Sequence, residues 1–556
     1  MPAPDFNWIS VEVRVPTRSP LRTLAAGVTE AAAPQETVTI QLPDLTRWPA
    51  PVDKARILLE SAAEVEHALM VQYLYAAYSL KGSDEVQDPA QQAALDESSP
   101  DSWSHLLLGI AREEMGHLMT VQNLLLLLGL PPNLEREDFP PRKDLYPFSL
   151  HLEPLSQRSL AKYVVAEAPG NAEGIDDIVE IARESAGAMI NRVGVLYGLL
   201  GLVFVREEDV SPGGSGGEDW DDMLRQLAEV AYQQSPPATW HLPESAFQPQ
   251  SVANQADPSD WQVGDLRVHR MADRAAAVEA IRDVGEQGEG PTTEGERSHF
   301  ERFLGVYRGA AGLPPFPRAG EWVPTRDVPT DPRLDADFTD PRTKRWAQLV
   351  DLRYALLLGF IEHYLRTAGD NRDILAGWIV AEMRSRVAFM ARRLTGMSRD
   401  GGTARAAAPF TLPSALHLPD AEAERWTVHR ERTEAAIAKV EEMQQSDAAD
   451  GTDANLQSLL ASDRARLAFI DAGPTPGSMT SFARDIRPLF RAKDIEHMVN
   501  LGVDLSRYEA VRGSAQSILQ RVSGTGGRPM PPPPDQRWTK VQIELFERWI
   551  AEGFPE

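Results

Sequence analysis

Residues 103–128 read WSHLLLGIAREEMGHLMTVQNLLLLL, and this stretch decides the fold. Every third or fourth residue belongs to one face of an α-helix, and that face is apolar except at two adjacent positions. The members of the face are Trp103, Leu107, Ile110, Glu114, His117, Val121, Leu124 and Leu128. We therefore predict a buried helix that carries one acid and one imidazole on its inner side.

Glu114 and His117 need a partner in such a setting. A buried carboxylate without one costs several kcal/mol. The spacing Glu-x-x-His places both heads on one helix face, which is how helical bundles build iron and manganese sites. We expect a metal ion between these residues and others of the bundle, with a buried Glu–His ion pair as the alternative.

Composition excludes several classes of site and partner. The chain has 556 residues, a net charge of −26 and no cysteine. The acidic balance disfavours nucleic acid and anionic membranes as partners. Without cysteine there is no disulfide, thiolate nucleophile, iron–sulfur cluster or covalently attached haem. Metal ligands must be His, Asp or Glu, which suit iron, manganese or zinc. No signal peptide or membrane span is evident, so we expect a cytoplasmic protein.

The fold class predicted from these patterns is all-α, in four parts. Residues 1–50 are an N-terminal arm with short strands, 51–310 a four-helix bundle with the metal site, and 311–471 an additional helical region. Residues 472–556 resemble the shell of a small c-type cytochrome but lack the Cys-x-x-Cys-His that would attach haem. His497 and Met530 alone do not support haem ligation, so we expect a haemless helical module.

Within the bundle, the first helix spans residues 52–80, and Glu66 shares a face with apolar residues. We predict Glu66 as an inward carboxylate and His67 as a hydrogen-bonded core residue. Residues 131–170 are Pro-rich and predict a crossover between helix pairs. One long third helix is expected over 174–205. Tyr73 and Tyr197 are candidates for lining the site, with a simple core role as the alternative.

The chain resembles the ferritin-like domain of iminophenyl-pyruvate dimer synthases, which couple tryptophan-derived imines in violacein-type and bisindole pathways. The resemblance covers roughly residues 50–440. The segments that carry it are LLESAAEVEHALMVQYLYAAYSL (58–80), IAREEMGHLMTVQNLLLLLGLPP (110–132), GEQGEG (285–290), SHFERF (298–303), APFTLPSALHLPD (408–420) and WTVH (426–429).

The resemblance implies a metal-dependent, iron-based oxidative function, and it implies that Glu289 and His299 complete the metal site. Glu289 follows the helix face of Ile281 and Gly285, so we rank it above Glu286. Glu296 repeats the i, i+3 spacing with His299 but ranks lower, as a solvated residue at a helix start.

Gly201 stands where the family has an acid. The nearest upstream acid, Glu184, is about 25 Å away along a helix that rises 1.5 Å per residue. The iron site is therefore mononuclear or dinuclear, and a single metal, or a site with water in place of one carboxylate, fits better.

The predicted function is an iron-dependent oxidoreductase that acts on a small amino-acid-derived molecule in specialised metabolism. Its catalytic residues are Glu66, Glu114 and His117, and a partner oxidase is a candidate neighbour. The alternative is a metal-free, degenerate scaffold that binds a partner enzyme. An iron-storing cage is a third hypothesis, disfavoured by the long appended segments.

A second site at Glu362, His363 and Glu382 is also disfavoured, because nearby arginines predict ion pairs.

Overall fold

A computed structural model describes most of the chain. The described residues are 8–16, 35–141, 150–168, 172, 174–186, 193–210, 220–261, 266–289, 297–310, 312–318, 320–368, 370–414, 416–472, 480–482, 486–499, 501–524, 538 and 540–555.

Two strands and a series of α-helices make up the described chain. The strands β1 (Trp8–Pro16) and β2 (Gln35–Pro43) are antiparallel, with Val11 opposite Ile40. The helices of the first half are α1 (Pro51–Ser79), α2 (Pro89–Leu95), α3 (Trp103–Leu127), α4 (Gln157–Ala166), α5 (Asp176–Ala186), α6 (Val193–Phe204), α7 (Trp220–Gln234), α8 (Pro258–Trp261), α9 (Arg274–Glu289) and α10 (His299–Arg308).

The second half is also helical. Its elements are α11 (Pro341–Leu365), α12 (Asp370–Ala381), a π-helical turn (Glu382–Val387), α13 (Ala388–Thr395), α14 (Glu422–Ser446), α15 (Ala448–Gly451), α16 (Ala454–Asp471), α17 (Ala492–Val499), α18 (Tyr508–Gly513), α19 (Ala515–Val522) and α20 (Lys540–Ala551). The prediction of an all-α protein is confirmed.

The chain forms two compact units. The first comprises residues 1–256, 265–332 and 403–407, and the second comprises 257–264, 333–402 and 408–556. The predicted bundle lies in the first unit except for residues 257–264. The predicted additional helical region and C-terminal module fall mainly in the second.

Helices α1 and α3 pack along each other at the centre of the first unit. Ser102 begins α3 by accepting a hydrogen bond from the backbone N–H of His105 at 3.2 Å, which satisfies one of the free donors of the first turn. All eight residues of the predicted inner face of α3 are buried. Helix α6 packs on α1 and α9, and α10 packs on α3 and α4, so these elements surround the pair.

Two stretches differ from the sequence prediction. The segment 131–170 is not only a crossover, because it contains α4, which Ser156 begins by accepting from the backbone N–H of Ser159 at 3.1 Å. The predicted long third helix corresponds to α5 and α6. Residues 187–192 between these two helices lie outside the described part of the chain.

In the second unit, α11 packs against α12 and α14. The C-terminal module has its own core, in which Trp549 packs against Phe482 and Phe546. His497 is exposed on α17, and Met530 lies outside the described residues. Across the part of the chain that is described, none of the helices has the length and apolar character needed to cross a bilayer.

Candidate metal centre

A first buried group forms between α1 and α3. His117 Nδ1 lies 2.9 Å from Glu114 Oε2 and 3.5 Å from Glu66 Oε2. All three residues are at most 4% exposed, and their ligand atoms lie within 4.8 Å of one another. The Glu-x-x-His spacing of α3 therefore meets an acid of α1, because both helices turn these residues toward their shared interface.

A second buried group uses the same Glu114. His299 Nδ1, at the start of α10, lies 3.1 Å from Glu114 Oε1 and 3.6 Å from Glu167 Oε2. These three residues also offer ligand atoms within 4.8 Å of one another. The two imidazole rings are 5.5 Å apart between centroids. One carboxylate thus lies between two histidines, with a further acid beside each.

Each histidine is oriented from its far side. Nε2 of His117 lies 2.9 Å from Oε1 of Gln287. Nε2 of His299 lies 2.8 Å from Oε2 of Glu113, which also accepts from Arg302. Because these outer acceptors take the Nε2 protons, a neutral ring carries its lone pair on Nδ1, which faces the carboxylates.

Two tyrosines hold two of the carboxylates. The hydroxyl of Tyr197 donates to Glu66 Oε1 at 2.5 Å, and the hydroxyl of Tyr73 donates to Glu167 Oε1 at 2.7 Å. Both tyrosines are buried, and burial raises their pKa well above the ordinary value. They therefore remain protonated donors, and each leaves the second oxygen of its carboxylate facing the histidines.

The cluster of carboxylates and imidazoles holds protons. Burial, followed by repulsion from Glu114, raises the pKa of Glu66 to about 8. Burial lowers the pKa of His117, but the charge of Glu114 outweighs this and brings the pKa to about 10. Burial also raises the pKa of Glu114, yet the neighbouring His299 and His117 hold it well below its usual range. Glu114 is thus ionised and lies between the protonated rings of His117 and His299.

The residues present fit a transition metal. Glu66 Oε2, Glu114 Oε1 and His299 Nδ1 are buried atoms without a well-aligned hydrogen-bond partner among the described residues. Leaving such atoms unsatisfied costs free energy that a bound cation would recover. A donor set of carboxylate oxygen and imidazole nitrogen suits iron or manganese. The cavity between them has a volume of about 20 Å³ and is lined in part by Glu66, Glu114 and Glu167.

Four of the five predicted metal ligands are brought together, namely Glu66, Glu114, His117 and His299. Glu289 is the last residue of α9, and its side chain lies outside the described part of the structure. Of the lower-ranked alternatives, Glu286 is exposed and pairs with Arg282 at 2.8 Å. Glu296 lies outside the described residues.

Glu167 and Glu113 are the acids that sequence reasoning missed. Glu167 follows α4 directly, in the segment interpreted as a crossover. A signal was present, because Leu160, Val164 and Glu167 follow the same steps of four and three as the inner face of α3. For Glu113 no comparable signal exists, since it precedes Glu114 in the sequence and lies off that face.

Gly201 does not face the cluster. A Cβ atom at this position would meet Trp220 at 2.9 Å and Leu224 at 3.0 Å, both on α7. The glycine allows α7 to pack closely on α6, and the expectation that it removes a carboxylate from the site is wrong for this geometry. The additional acid of the cluster is Glu167, which lies beside His299.

The disfavoured second site is occupied by ion pairs and hydrogen bonds. Glu382 accepts from Arg353 at 2.8 Å, and Glu362 accepts from Arg366 and from the backbone of Leu418. His363 contacts His429 instead. Among the described residues, these three do not form a group with ligand atoms close enough for one metal ion.

Residues 59–308 match the family model described as Ferritin-like, so this part of the chain is a ferritin-like domain. The match includes every residue of the two buried groups, which we call the two triads: Glu66, Glu114 and His117, and Glu114, Glu167 and His299. The ferritin-like fold that the family resemblance implied is therefore confirmed for these residues.

Two relatives with named functions are also similar to this chain. Dichlorochromopyrrolate synthase of Lentzea aerocolonigenes is 28% identical over 291 residues, 48% of this chain and 26% of that protein. The 2-imino-3-(indol-3-yl)propanoate dimerase of Chromobacterium violaceum is 35% identical over 131 residues, 20% of this chain and 13% of that protein. The chain thus spans about a quarter or less of the relatives' length. No solved structure matches the chain. The two names confirm the resemblance to the dimer synthase group.

Proposed function

We propose that this chain is a metal-dependent oxidoreductase, with iron as its metal, that acts on a small amino-acid-derived molecule in specialised metabolism. The observation that carries the proposal is the pair of buried triads that share Glu114 and leave three polar atoms without aligned partners. The names of the two relatives support the substrate class.

The residues that would hold the metal are Glu66 and His117 on one side and Glu167 and His299 on the other, with Glu114 between them. This arrangement supports two metal ions better than one, because each triad offers one imidazole and two carboxylates. A bound redox metal with an open coordination position supplies one-electron chemistry that side chains lack.

The chain's own residues would orient the metal ligands and limit the space open to solvent beside them. Glu113 and Gln287 hold the imidazole rings, and Tyr73 and Tyr197 hold the outer carboxylates. A cavity of about 20 Å³ admits a molecule of the size of water or dioxygen. An indole-sized molecule does not fit there, so we place the organic substrate beside the cluster and not within it.

Metal analysis tests the proposal. The full chain, expressed with iron supplementation, is expected to carry about two equivalents of iron, as in other carboxylate-bridged bundles. Glu114→Gln is expected to lose both equivalents, and His299→Gln at least one. Glu286→Gln is the matched control, because Glu286 is an exposed acid of the same domain. Stoichiometric iron in Glu114→Gln, or no transition metal in the parent protein, would refute the proposed metal site. The metal-free scaffold would then be the remaining hypothesis.

Activity is tested separately with aromatic 2-imino acids, generated in place from tryptophan, phenylalanine or tyrosine by an amino-acid oxidase. With dioxygen as the oxidant, the iron-loaded chain is expected to give a coupled product that the Glu114→Gln variant does not give. If the iron-loaded protein leaves all three imino acids to hydrolyse at the background rate, this substrate class is wrong while the metal site stands.

A further inference from the structure

The second unit contains a cavity of about 300 Å³, lined by residues that follow the ferritin-like match in the sequence. Its walls come from Trp346 of α11, the π-helical turn, α13, the first half of α16, α19 and α20. This volume lies at the lower end of the range for small-molecule sites, roughly 300 Å³ and above. π-Helical turns are rare and frequently occur at functional sites.

A buried ionic cluster borders this cavity. Arg353 donates to Glu382 at 2.8 Å and to Asp463 at 2.6 Å. Arg466 donates to Glu382 at 2.8 Å, and Arg386 donates to Glu382 as well. All five side chains are at most 7% exposed. Three guanidinium groups thus share two carboxylates, and one positive charge is left without a counter-charge in the cluster.

Arg386 connects this surplus charge to the cavity, because it lines the cavity wall and also donates to the hydroxyl of Ser462. Burial lowers the pKa of Arg466 to about 10, and the neighbouring Arg386 adds to this effect. An uncompensated buried charge is costly. A bound anion in the cavity would remove that cost.

The remaining formal charges of the cavity wall sum to zero. Arg384 adds a positive charge, and Glu547 is the single acid among the lining residues, so the two cancel. Helix α19 also turns its third residue, Ser517, to the cavity. The N-terminal end of a helix favours negative charge.

Apolar side chains also line the cavity, among them Phe389, Leu459 and Leu519. We propose that this cavity binds a small organic monoanion, a carboxylate joined to an apolar or aromatic body, with the carboxylate at Arg386 and Ser462. A monoanion matches the single surplus charge, whereas a phosphate dianion would leave the site with an excess of negative charge. The proposal is independent of the metal centre.

Calorimetric titration of the full chain tests this assignment. The probe is indole-3-acetate, and its control is the neutral isostere indole-3-acetamide. We expect indole-3-acetate to bind at least about tenfold more tightly than the amide. Equal affinity for acid and amide, no binding of the acid up to its solubility limit, or tighter binding of inorganic phosphate would each overturn the proposal.

Three variants assign any binding to this cavity. Ser517→Phe fills it and is expected to abolish binding of indole-3-acetate. Arg384→Gln removes a charge at the exposed rim and is expected to weaken binding about threefold to tenfold. Arg430→Gln, an exposed arginine of α14 paired with Asp471, is the matched control and should bind as the parent does. Undiminished binding by a Ser517→Phe protein with the parent's circular dichroism would place the ligand elsewhere and refute the assignment.

Discussion

Glu113 accepts a hydrogen bond from Nε2 of His299 at 2.8 Å, while the next residue in the chain, Glu114, lies 3.1 Å from the opposite nitrogen of the same ring. Two consecutive acids of α3 thus approach one imidazole from two sides. Arg302, on the same helix as His299, pairs with Glu113 and fixes its position. The ring of His299 therefore has a defined orientation before any ligand arrives.

This arrangement makes Glu113 a positioning residue. We predict that Glu113→Gln lowers the affinity for Mn²⁺ by roughly 10- to 100-fold, the usual effect of removing an outer acceptor from a ligand histidine. Glu286→Gln should have no effect. The measurement is competition with a fluorescent chelator, and an affinity for Mn²⁺ equal to that of the parent would show that Glu113 serves only Arg302.

The tyrosine hydroxyls are expected to stabilise the metal-free fold. Tyr197→Phe removes the donor to Glu66, and Tyr73→Phe removes the donor to Glu167. Each should lower the free energy of unfolding by about 1–3 kcal/mol, because a buried acceptor is left unsatisfied. Urea unfolding of chelator-treated protein measures the change. Losses below about 0.5 kcal/mol in both variants, the range of ordinary surface substitutions, would contradict this role.

Metal binding is predicted to release protons. In the metal-free cluster the pKa of Glu66 is about 8 and that of His117 about 10, and the pKa of His299 is also raised, as the nearby carboxylates outweigh burial. At pH 7 these groups hold protons that a metal ion must displace, so affinity should rise with pH. Calorimetric titration with Mn²⁺ in buffers of different ionisation enthalpy should detect more than one released proton. A buffer-independent heat would exclude this.

The His363–His429 pair in the second unit gives a prediction of the opposite kind. Nδ1 of His363 lies 2.9 Å from Nε2 of His429, and burial lowers the pKa of His363 to about 4. Burial also holds the pKa of His429 well below its ordinary value. Both rings are therefore neutral in the fold at pH values at which the unfolded chain, with a histidine pKa of about 6.5, binds protons.

Stability from this pair is present above pH 6.5 or so and is lost as the pH falls toward 4, with a slope of about 1.4 kcal/mol per pH unit for each such histidine. His363→Asn should make the dependence of unfolding free energy on pH shallower by about one proton between pH 6 and pH 5. Urea midpoints measured at both pH values test this. Parallel curves for parent and variant would show that the pair does not titrate in this range.

Gly201→Glu tests the position at which an acid was expected from the family resemblance. Because its Cβ atom would lie 2.9 Å from the ring of Trp220, the substitution should cost about 1–3 kcal/mol of stability through overpacking. It should add no metal. The measurement is the iron content per folded chain. Gly513→Glu is the control, because it places the same side chain at an open position. A gain of iron in the Gly201→Glu protein would restore the original interpretation.

Much of the site could be read from the sequence because helical periodicity reports burial. Glu66 and Glu114 interrupt apolar faces of long helices, and buried acids need partners. Glu167 was hidden for a different reason. Prolines on both sides of α4 suggested a connection, and a helix of ten residues carries only a short periodic pattern.

Helical periodicity could not predict the hydrogen bonds that orient the site residues from neighbouring helices. Periodicity assigns a residue to a face of its own helix, but it does not say which distant element packs there. Glu113 meets His299 only because α10 lies against α3, and Tyr197 meets Glu66 only because α6 lies against α1. Such pairings depend on tertiary packing, which one sequence does not encode in a local pattern.

The position of Glu114 between two imidazoles also bears on how such a protein can change over generations. A substitution of either flanking acid would leave the opposite half complete, whereas a substitution of the shared acid would dismantle both halves in one mutational step. The helices around it are held by extensive apolar packing and would persist. Under the proposed function, a lineage of this fold is thus one codon away from exchanging metal chemistry for a purely architectural role.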